Sequence, residues 1–269
     1  MTSSSFKSKI EITHIGTATA ILSIDGINFL TDPFFTPAGN KWQKEEQAVT
    51  VENTESPAMT LADLPVIDAV LLSHEDHPDN LDELGRRLLD GRRVFTTPDG
   101  ANNLRPRPAV HGLRPWETIR STIGGTAFSI TGVPCVHVPG GECTGFLLTT
   151  ASFGETNGRP NAVYFSGDTV YFEELLRMKD MFHISVALYN LGAAMGPVGP
   201  GGSMLQITMG GEQGARLFKE TGADVLVPMH YMSWKHFTQF DEGLKREFEQ
   251  AGVLDKVCWL EPGVVKRIV

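Results

Sequence analysis

Six histidine and aspartate side chains follow apolar segments that read as strands, at the point where each segment ends. They are His74, His77, Asp79, His137, Asp168 and His230. The carboxyl ends of strands in open α/β sheets form the edge at which such sheets bind ligands. Imidazole nitrogen with carboxylate oxygen is the ligand mixture that Zn²⁺, Fe and Mn²⁺ prefer, and Asp168 could bridge two ions. The pattern favours a metal site.

Each of these residues taken alone also has a structural interpretation. Asp79 is suited to cap a helix, and Asp168 to form a turn after Gly167. Glu75 and Asp76 read as a solvated pair. A lone histidine is usually a hydrogen-bonded residue rather than a ligand. Because six such residues stand at the ends of four predicted strands, we favour metal binding.

The strands that lead into these residues are predicted from runs of apolar side chains. Residues 67–73 are almost continuously apolar, as expected of a strand buried on both faces. Residues 162–166 and 225–228 have the same character and lead to Asp168 and His230. A fourth strand is predicted over residues 128–137, so that it ends at His137.

The remaining segments are predicted as follows. Residues 10–31 are expected to form two strands around an Asp25-Gly26 turn. A helix capped by Asp79 or Asn80 should bury Leu81, Leu84, Leu88 and Leu89 and end at Gly91. Residues 41–55 read as a surface loop over a pocket, and residues 191–211 as a glycine-rich loop. Because both halves alternate strands with polar loops, we predict an α/β sandwich of two similar lobes, scored as one domain.

At the level of motifs the chain resembles the metallo-β-lactamase-fold hydrolases, and most closely the branch of ascorbate-phosphate-type metal-dependent lactonases. The resemblance spans nearly the whole chain and rests on residues 16–22, 29–33, 71–82, 165–169 and 227–231. It implies a four-layer αββα sandwich, with residues 1–269 forming one domain and the site at one edge of the two sheets. By position, it implies that Asp32 belongs to the first motif, His137 to the third and His230 to the fifth, with Asp168 as the bridge.

The second motif departs from the family pattern His-x-His-x-Asp-His. With one inserted residue, His74 and His77 take the first two histidine positions and Asp79 the aspartate, while Asn80 replaces the last histidine. Without the insertion, Asp76 takes the second histidine position; we prefer the insertion because it keeps residues 81–82 in register with the following helix. One ion would then be held by three histidines, and the second more weakly, because amide oxygen is a poor zinc ligand. We expect one or two Zn ions, with Mn or Fe as alternatives.

Other groups are candidates for the pocket. Asp32 is either an acceptor for a ligating imidazole or a turn residue that ends a strand. His236 or Tyr231 could donate to a developing oxyanion, although surface exposure and packing explain this segment equally well. Residues 192–202 read as a flexible connection or a lid. Cys135 is expected to be a packed thiol near His137.

Composition excludes several classes of protein. The 269 residues carry 23 Lys and Arg against 32 Asp and Glu, a net charge of −9, which disfavours nucleic acid as a partner. Three cysteines without short spacing are typical of a reducing compartment rather than a disulfide framework. Neither a signal peptide nor a membrane span is predicted, so we expect a cytoplasmic protein that acts on a small-molecule substrate. The oligomeric state and the natural substrate stay open.

These observations predict a metal-dependent hydrolase of the lactonase or esterase type. A metal-bound hydroxide would attack a small ester, lactone or amide, and Asp79 or Asp168 would orient the water and take its proton. No P-loop and no Gly-x-Ser-x-Gly motif is present. The alternatives are iron-dependent thiol oxidation on the same fold and a metabolite-binding pseudoenzyme.

Overall fold

A computed structural model describes residues 6–44, 49–197 and 203–269 of the chain. Its strands are β1 Ile10–Gly16, β2 Thr19–Ile24, β3 Ile27–Thr31, β4 Lys41–Lys44, β5 Val49–Glu52, β6 Ala69–Leu71, β7 Arg93–Thr96, β8 Val110–Gly112, β9 Thr118–Ile123, β10 Thr126–Pro134, β11 Thr144–Thr150, β12 Glu155–Thr156, β13 Arg159–Phe165, β14 His183–Asn190, β15 Met195–Pro197, β16 Met204–Gln206, β17 Val225–Met229 and β18 Val265–Arg267. The α-helices are α1 Glu83–Leu88, α2 Pro98–Asn103, α3 Met178–Met181, α4 Gly211–Thr221 and α5 Asp241–Gln250.

Two large mixed sheets carry most of these strands. The first has the order β18-β1-β2-β3-β6-β7-β8, and the second β17-β14-β13-β11-β10-β9 with β12 paired to β13. Strands β3, β6, β7 and β8 are mutually parallel, as are β13, β14 and β17. Strands β4–β5 and β15–β16 form two separate hairpins.

Successive side chains along each strand point to opposite faces of the sheet, so they pack alternately between the two sheets and against the helices outside them. Leu71 of β6 and Leu188 of β14 belong to the core between the sheets, together with other inward residues of both. Val70 and Leu72 instead pack with the leucines around α1 on the outer face of the first sheet. Tyr189 packs with α4 and α5 on the outer face of the second. The molecule is therefore an αββα sandwich, and the predicted fold class is confirmed.

The parallel strands direct polar residues toward one edge of this sandwich. Asp32 follows β3, His74 follows β6, Asp168 follows β13 and His230 follows β17. The turn into Asp168 requires Gly167, whose φ is +56° and where an added Cβ would lie 2.7 Å from the carbonyl oxygen of Thr144. Only glycine tolerates both the left-handed backbone and this close approach.

Several predicted elements differ from the structure. Residues 10–31 form three strands rather than two, because the chain turns at Thr17, whose φ is +48°. Helix α1 is capped by Asp82, which accepts from the backbone N–H of Gly85 at 2.7 Å, and not by Asp79 or Asn80. Strand β10 ends at Pro134, before His137, because proline has no N–H with which to continue the ladder.

Both predicted loops contain β-hairpins. Strands β4 and β5 lie within residues 41–55, and Trp42 and Val51 pack against Phe34 and Trp234, which anchors the hairpin. Strands β15 and β16 lie within residues 191–211. Residues 45–48 and 198–202 of these segments lie outside the described part of the chain. Within that described part, no helix has the length and apolarity needed to cross a membrane.

Candidate metal centre

Three imidazoles form the first of two groups of potential ligands. One ring nitrogen from each of His74, His77 and His137 lies within 4.8 Å of the other two. His74 Nε2 is 3.0 Å from His77 Nδ1, and His137 Nε2 is 3.3 Å from the same atom. This convergence leaves three nitrogen donors facing one point, an arrangement that suits a tetrahedral cation with one further position.

Two of these imidazoles are fixed from behind. His74 Nδ1 is 2.9 Å from Ser73 Oγ, whose hydroxyl donates to Asp32 Oδ2 at 2.8 Å. The backbone N–H of Ser73 donates to Asp32 Oδ1 at 2.6 Å. His137 Nδ1 donates to the carbonyl oxygen of Ile207 at 2.7 Å. Both contacts favour the tautomer in which Nδ1 carries the proton, so that the lone pair on Nε2 of His74 and of His137 stays free. Imidazoles that bind metal ions are normally held in this way.

Burial shapes the ionisation of this group. Desolvation, with smaller contributions from His77 and His137, holds the pKa of His74 well below its ordinary value. The imidazole is therefore neutral at pH 7, as a metal ligand must be. Burial and then the charge of Asp168 raise the pKa of Asp32, while the donors on Ser73 and Asn80 lower it.

Asp79, Asp168 and His230 form the second group, again within 4.8 Å of one another. His230 Nε2 is 3.9 Å from Asp79 Oδ2, and His230 Nδ1 is 3.7 Å from Asp168 Oδ1, both too long for hydrogen bonds. Both ring nitrogens of His230 are buried without a hydrogen-bond partner among the described residues. Buried polar atoms are normally satisfied, so the two unpartnered nitrogens suit His230 to coordinate a metal ion.

Asp168 lies between the two groups. Its Oδ2 is 4.0 Å from His137 Nε2, and its Oδ1 accepts from Asn190 Nδ2 at 2.7 Å. Burial opposes ionisation of Asp168, but the neighbouring His230, His137 and His74, together with the hydrogen bond from Asn190, outweigh it and lower the pKa of the carboxyl. An ionised carboxylate in this position is suited to bridge two cations.

The residues of the altered second motif separate in space. Asn80 is fully buried, and its Nδ2 donates to Asp32 Oδ2 at 3.0 Å and to Ser73 Oγ at 3.3 Å. Its amide nitrogen therefore supports the residues behind His74. Asp76 is exposed and belongs to neither group. Glu75 is not half of a solvated pair, since it is buried and bonded to Arg86 at 2.8 Å.

Both groups open into one pocket. Its described lining consists of Val51, His77, Pro78, Asp79, His137, Val138, Asp168, Ala194, Met195, Gly196, Ile207, Thr208, His230 and His236. Burial lowers the pKa of His236, and its Nδ1 has no hydrogen-bond partner among the described residues. Tyr231 does not reach this lining, because its ring packs against Trp259. Of residues 192–197, Ala194, Met195 and Gly196 line this pocket.

Sequence reasoning missed three groups that contact the candidate ligands. Ser73 connects Asp32 to His74, and Asn190 holds Asp168. Asn190 directly follows a predicted strand, so the signal that singled out Asp168 would have found it. Cys143 also borders the site, with Sγ 3.6 Å from His74 Nδ1 and 3.3 Å from the carbonyl oxygen of Asp168. Cys135 contacts backbone carbonyls instead.

An αββα sandwich with groups of histidine and aspartate side chains at one edge is the architecture of the metallo-β-lactamase superfamily. The sequence model described as the β-lactamase superfamily domain matches residues 27–231, and the chain belongs to this family. Relatives of this chain are described as metal-dependent hydrolases, and this broad class is the one that the comparisons support.

Similar proteins agree with this assignment. A UPF0173 metal-dependent hydrolase of Methanopyrus kandleri is 27% identical over 268 residues, covering 94% of this chain and 98% of the relative. The solved isothiocyanate hydrolase from Delia radicum gut bacteria has a TM-score of 0.74 at 21% identity, covering 95% of this chain and 98% of that one. A metallo hydrolase of Ignicoccus hospitalis has a TM-score of 0.70 at 22% identity, covering 96% and 98%. At these identities the two structures support the fold alone.

Proposed function

We propose that this hydrolase cleaves a small ester, lactone or amide by direct attack of water on the carbonyl carbon. The observation that carries the proposal is that two groups of ligand atoms, which meet at Asp168, face one pocket. We assign His74, His77 and His137 to one cation and Asp79, Asp168 and His230 to a second. When bound, such an ion lowers the pKa of a water toward about 7 and polarises a carbonyl oxygen.

The donors fit zinc, with manganese or iron as alternatives. The first group is all nitrogen, and the second mixes carboxylate oxygen with imidazole nitrogen. The neutral state of His74 and the unpartnered nitrogens of His230 both suit coordination. We assign one ion or two, the first being held more firmly.

The other roles follow from the pocket. Asp79 and Asp168 are the carboxylates positioned to orient a water and accept its proton. His236, neutral at pH 7, can donate to a developing oxyanion. Thr208 is the only hydroxyl among the described lining residues, and its Oγ1 accepts from the N–H of Ala194 and donates to the carbonyl of Leu191. The lining therefore offers no free hydroxyl or thiol nucleophile, which favours attack by water.

A substrate panel tests this proposal. Lactones, aryl esters, thioesters and bis(p-nitrophenyl) phosphate are assayed with protein reconstituted with Zn²⁺, Mn²⁺ or Fe²⁺. We expect a carbonyl substrate to be cleaved best, chelation to abolish the reaction and metal to restore it. Preferred cleavage of the phosphodiester contradicts the carbonyl assignment. Oxygen consumption with a thiol and iron, without hydrolysis, supports the redox alternative, and metal binding without any turnover supports a metabolite-binding protein.

We also propose the cytoplasm as the compartment and a small molecule, rather than nucleic acid, as the partner. Cys135, Cys143 and Cys258 are all unpaired, which suits a reducing compartment. The net charge of −9 disfavours a phosphate backbone. Localisation of the tagged protein by fractionation tests the first point.

A further inference from the structure

The walls of the pocket are apolar above the candidate ligands. The described lining includes apolar side chains besides the candidate ligands, among them Val51, Val138, Ala194, Met195 and Ile207. Apart from the candidate ligands, the described lining contains only two polar side chains, Thr208 and His236. Since backbone groups already occupy the Thr208 hydroxyl, only His236 is left to contact a polar part of a bound molecule away from the reacting carbonyl.

No positive side chain is found in the described lining of the pocket, which contains no lysine or arginine. The lysines at the base of the β4–β5 hairpin are engaged elsewhere, since Lys41 and Lys235 pair with Glu52 at 3.4 and 2.6 Å.

An anionic substituent on the substrate would therefore have no partner in these walls. Burying an unpaired charge in an apolar site is costly. The carboxylates of Asp79 and Asp168, in the same lining, would add repulsion unless cations neutralise them. An apolar substituent, by contrast, gains from contact with the aliphatic wall.

We infer that the substrate is uncharged and predominantly apolar, an inference that rests on the proposed hydrolase function. Its carbonyl would lie at the two candidate ligand groups, and its apolar part against Val138, Met195 and Ile207. Met195 is the residue at which this specificity is most readily reversed. It is half-buried at the start of β15, and its backbone N–H donates to the carbonyl oxygen of His236 at 3.4 Å.

Lysine is the substitution that tests this wall. Methionine and lysine are both unbranched and similar in length, so Met195→Lys adds a positive charge with little change in shape. Met195→Gln is the matched control, because it adds polarity without charge.

The substrates are also a matched pair. Cleavage of p-nitrophenyl hexanoate is compared with cleavage of the p-nitrophenyl monoester of adipic acid, which has the same acyl chain ending in a carboxylate. We expect the unsubstituted metal-loaded protein to prefer the hexanoate by about tenfold or more in kcat/KM. Met195→Lys should narrow that preference by about tenfold, and Met195→Gln should leave it nearly unchanged. Equal or better cleavage of the adipate ester by the unsubstituted protein overturns the inference, as does an equal shift in both variants.

A binding measurement separates this inference from the hydrolase proposal. Isothermal titration calorimetry of the metal-loaded protein compares hexanamide with the monoamide of adipic acid, neither of which requires turnover. Tighter binding of hexanamide supports the substrate class even if neither ester is cleaved, in which case the hydrolase proposal alone fails. Tighter binding of the anionic amide, or binding of neither, overturns the substrate class.

Discussion

The two candidate ligand groups share one pocket but are built differently. The first presents three imidazole nitrogens, two of which are oriented from behind by Ser73 and by the carbonyl oxygen of Ile207. The second presents two carboxylates and His230, whose ring nitrogens have no hydrogen-bond partner among the described residues. A cation bound to the first group contacts imidazoles that hydrogen bonds already orient. In the second group no hydrogen bond among the described residues orients the His230 ring, so the ring must be ordered when the cation binds.

This difference bears on the order of metal binding. Preorganised imidazole nitrogen donors favour a zinc-like ion at the first group. The second group depends on carboxylates, which also bind harder ions. Asp168 is the element that connects them, and Asn190 fixes one of its oxygens. Variants of the two groups, and of the residues that hold them, should therefore differ in the metal that they retain.

Loss of a first-group ligand should have the largest effect. We expect the unsubstituted protein to keep about one ion per chain after dialysis, and His74→Ala or His137→Ala to keep none and lose the metal-dependent activity. Asp79→Ala should retain the first ion, and Asp168→Asn should weaken both sites. Elemental analysis after dialysis measures this. Full metal content in His137→Ala, or two ions retained by the unsubstituted protein, contradicts the asymmetry.

Loss of the support behind His74 should have the next largest effect. Ser73→Ala breaks the connection between Asp32 and the imidazole, and Asp32→Asn removes the acceptor charge. Affinity for the first ion should fall about 10–100-fold in either variant. Competition with a chromogenic chelator measures the affinity, and Ser23→Ala on β2 is the control. An unchanged affinity in both site variants shows that this network does not orient His74.

Removal of the Asn190 amide should have a smaller effect, confined to Asp168 and the second ion. Asn190→Ala leaves Asp168 Oδ1 without its donor at 2.7 Å, which should cost about 1–3 kcal/mol of stability and weaken the second ion. Asn161→Ala is a matched control, because it removes a buried amide that donates to Phe153 at 2.8 Å, outside both groups. If both variants lower the urea midpoint but neither changes metal titrations, Asn190 has only a structural role.

Acidification should have the mildest effect, on the stability of the metal-free protein. Burial lowers the pKa of His14 below its ordinary value of 6.5, with partial compensation from the Thr17 carbonyl and Glu55. As the pH falls, His14 is therefore protonated in the unfolded chain before it is protonated in the folded protein. The contribution of neutral His14 to folding stability is complete above about pH 6.5 and is lost as the pH falls below that value. Urea midpoints should decrease between about pH 7.5 and 5.5, less steeply in His14→Gln. Equal slopes in the two proteins contradict this role for His14.

Sequence patterns were informative wherever a local signal exists. Apolar runs marked strands β6, β13 and β17, and the histidine or aspartate after each run lies at the shared edge. The αββα architecture was predicted by resemblance and is confirmed. The two hairpins were missed because their strands are only three or four residues long, too short for a recognisable period. Contacts between distant residues, such as Trp42 with Trp234, hold β4–β5 in place.

The types of the candidate ligands, and most of the strand ends that precede them, could be predicted from the sequence, because hydrophobic periodicity and residue chemistry are local properties. The tertiary structure decided how the six residues divide into two groups, and which nitrogen of His74 and His137 stays free. It also turned the amide nitrogen of Asn80 toward Asp32 and kept Tyr231 out of the pocket. These outcomes depend on contacts between residues far apart in the chain, and side-chain direction at such contacts is set by the packing of one sheet against the other.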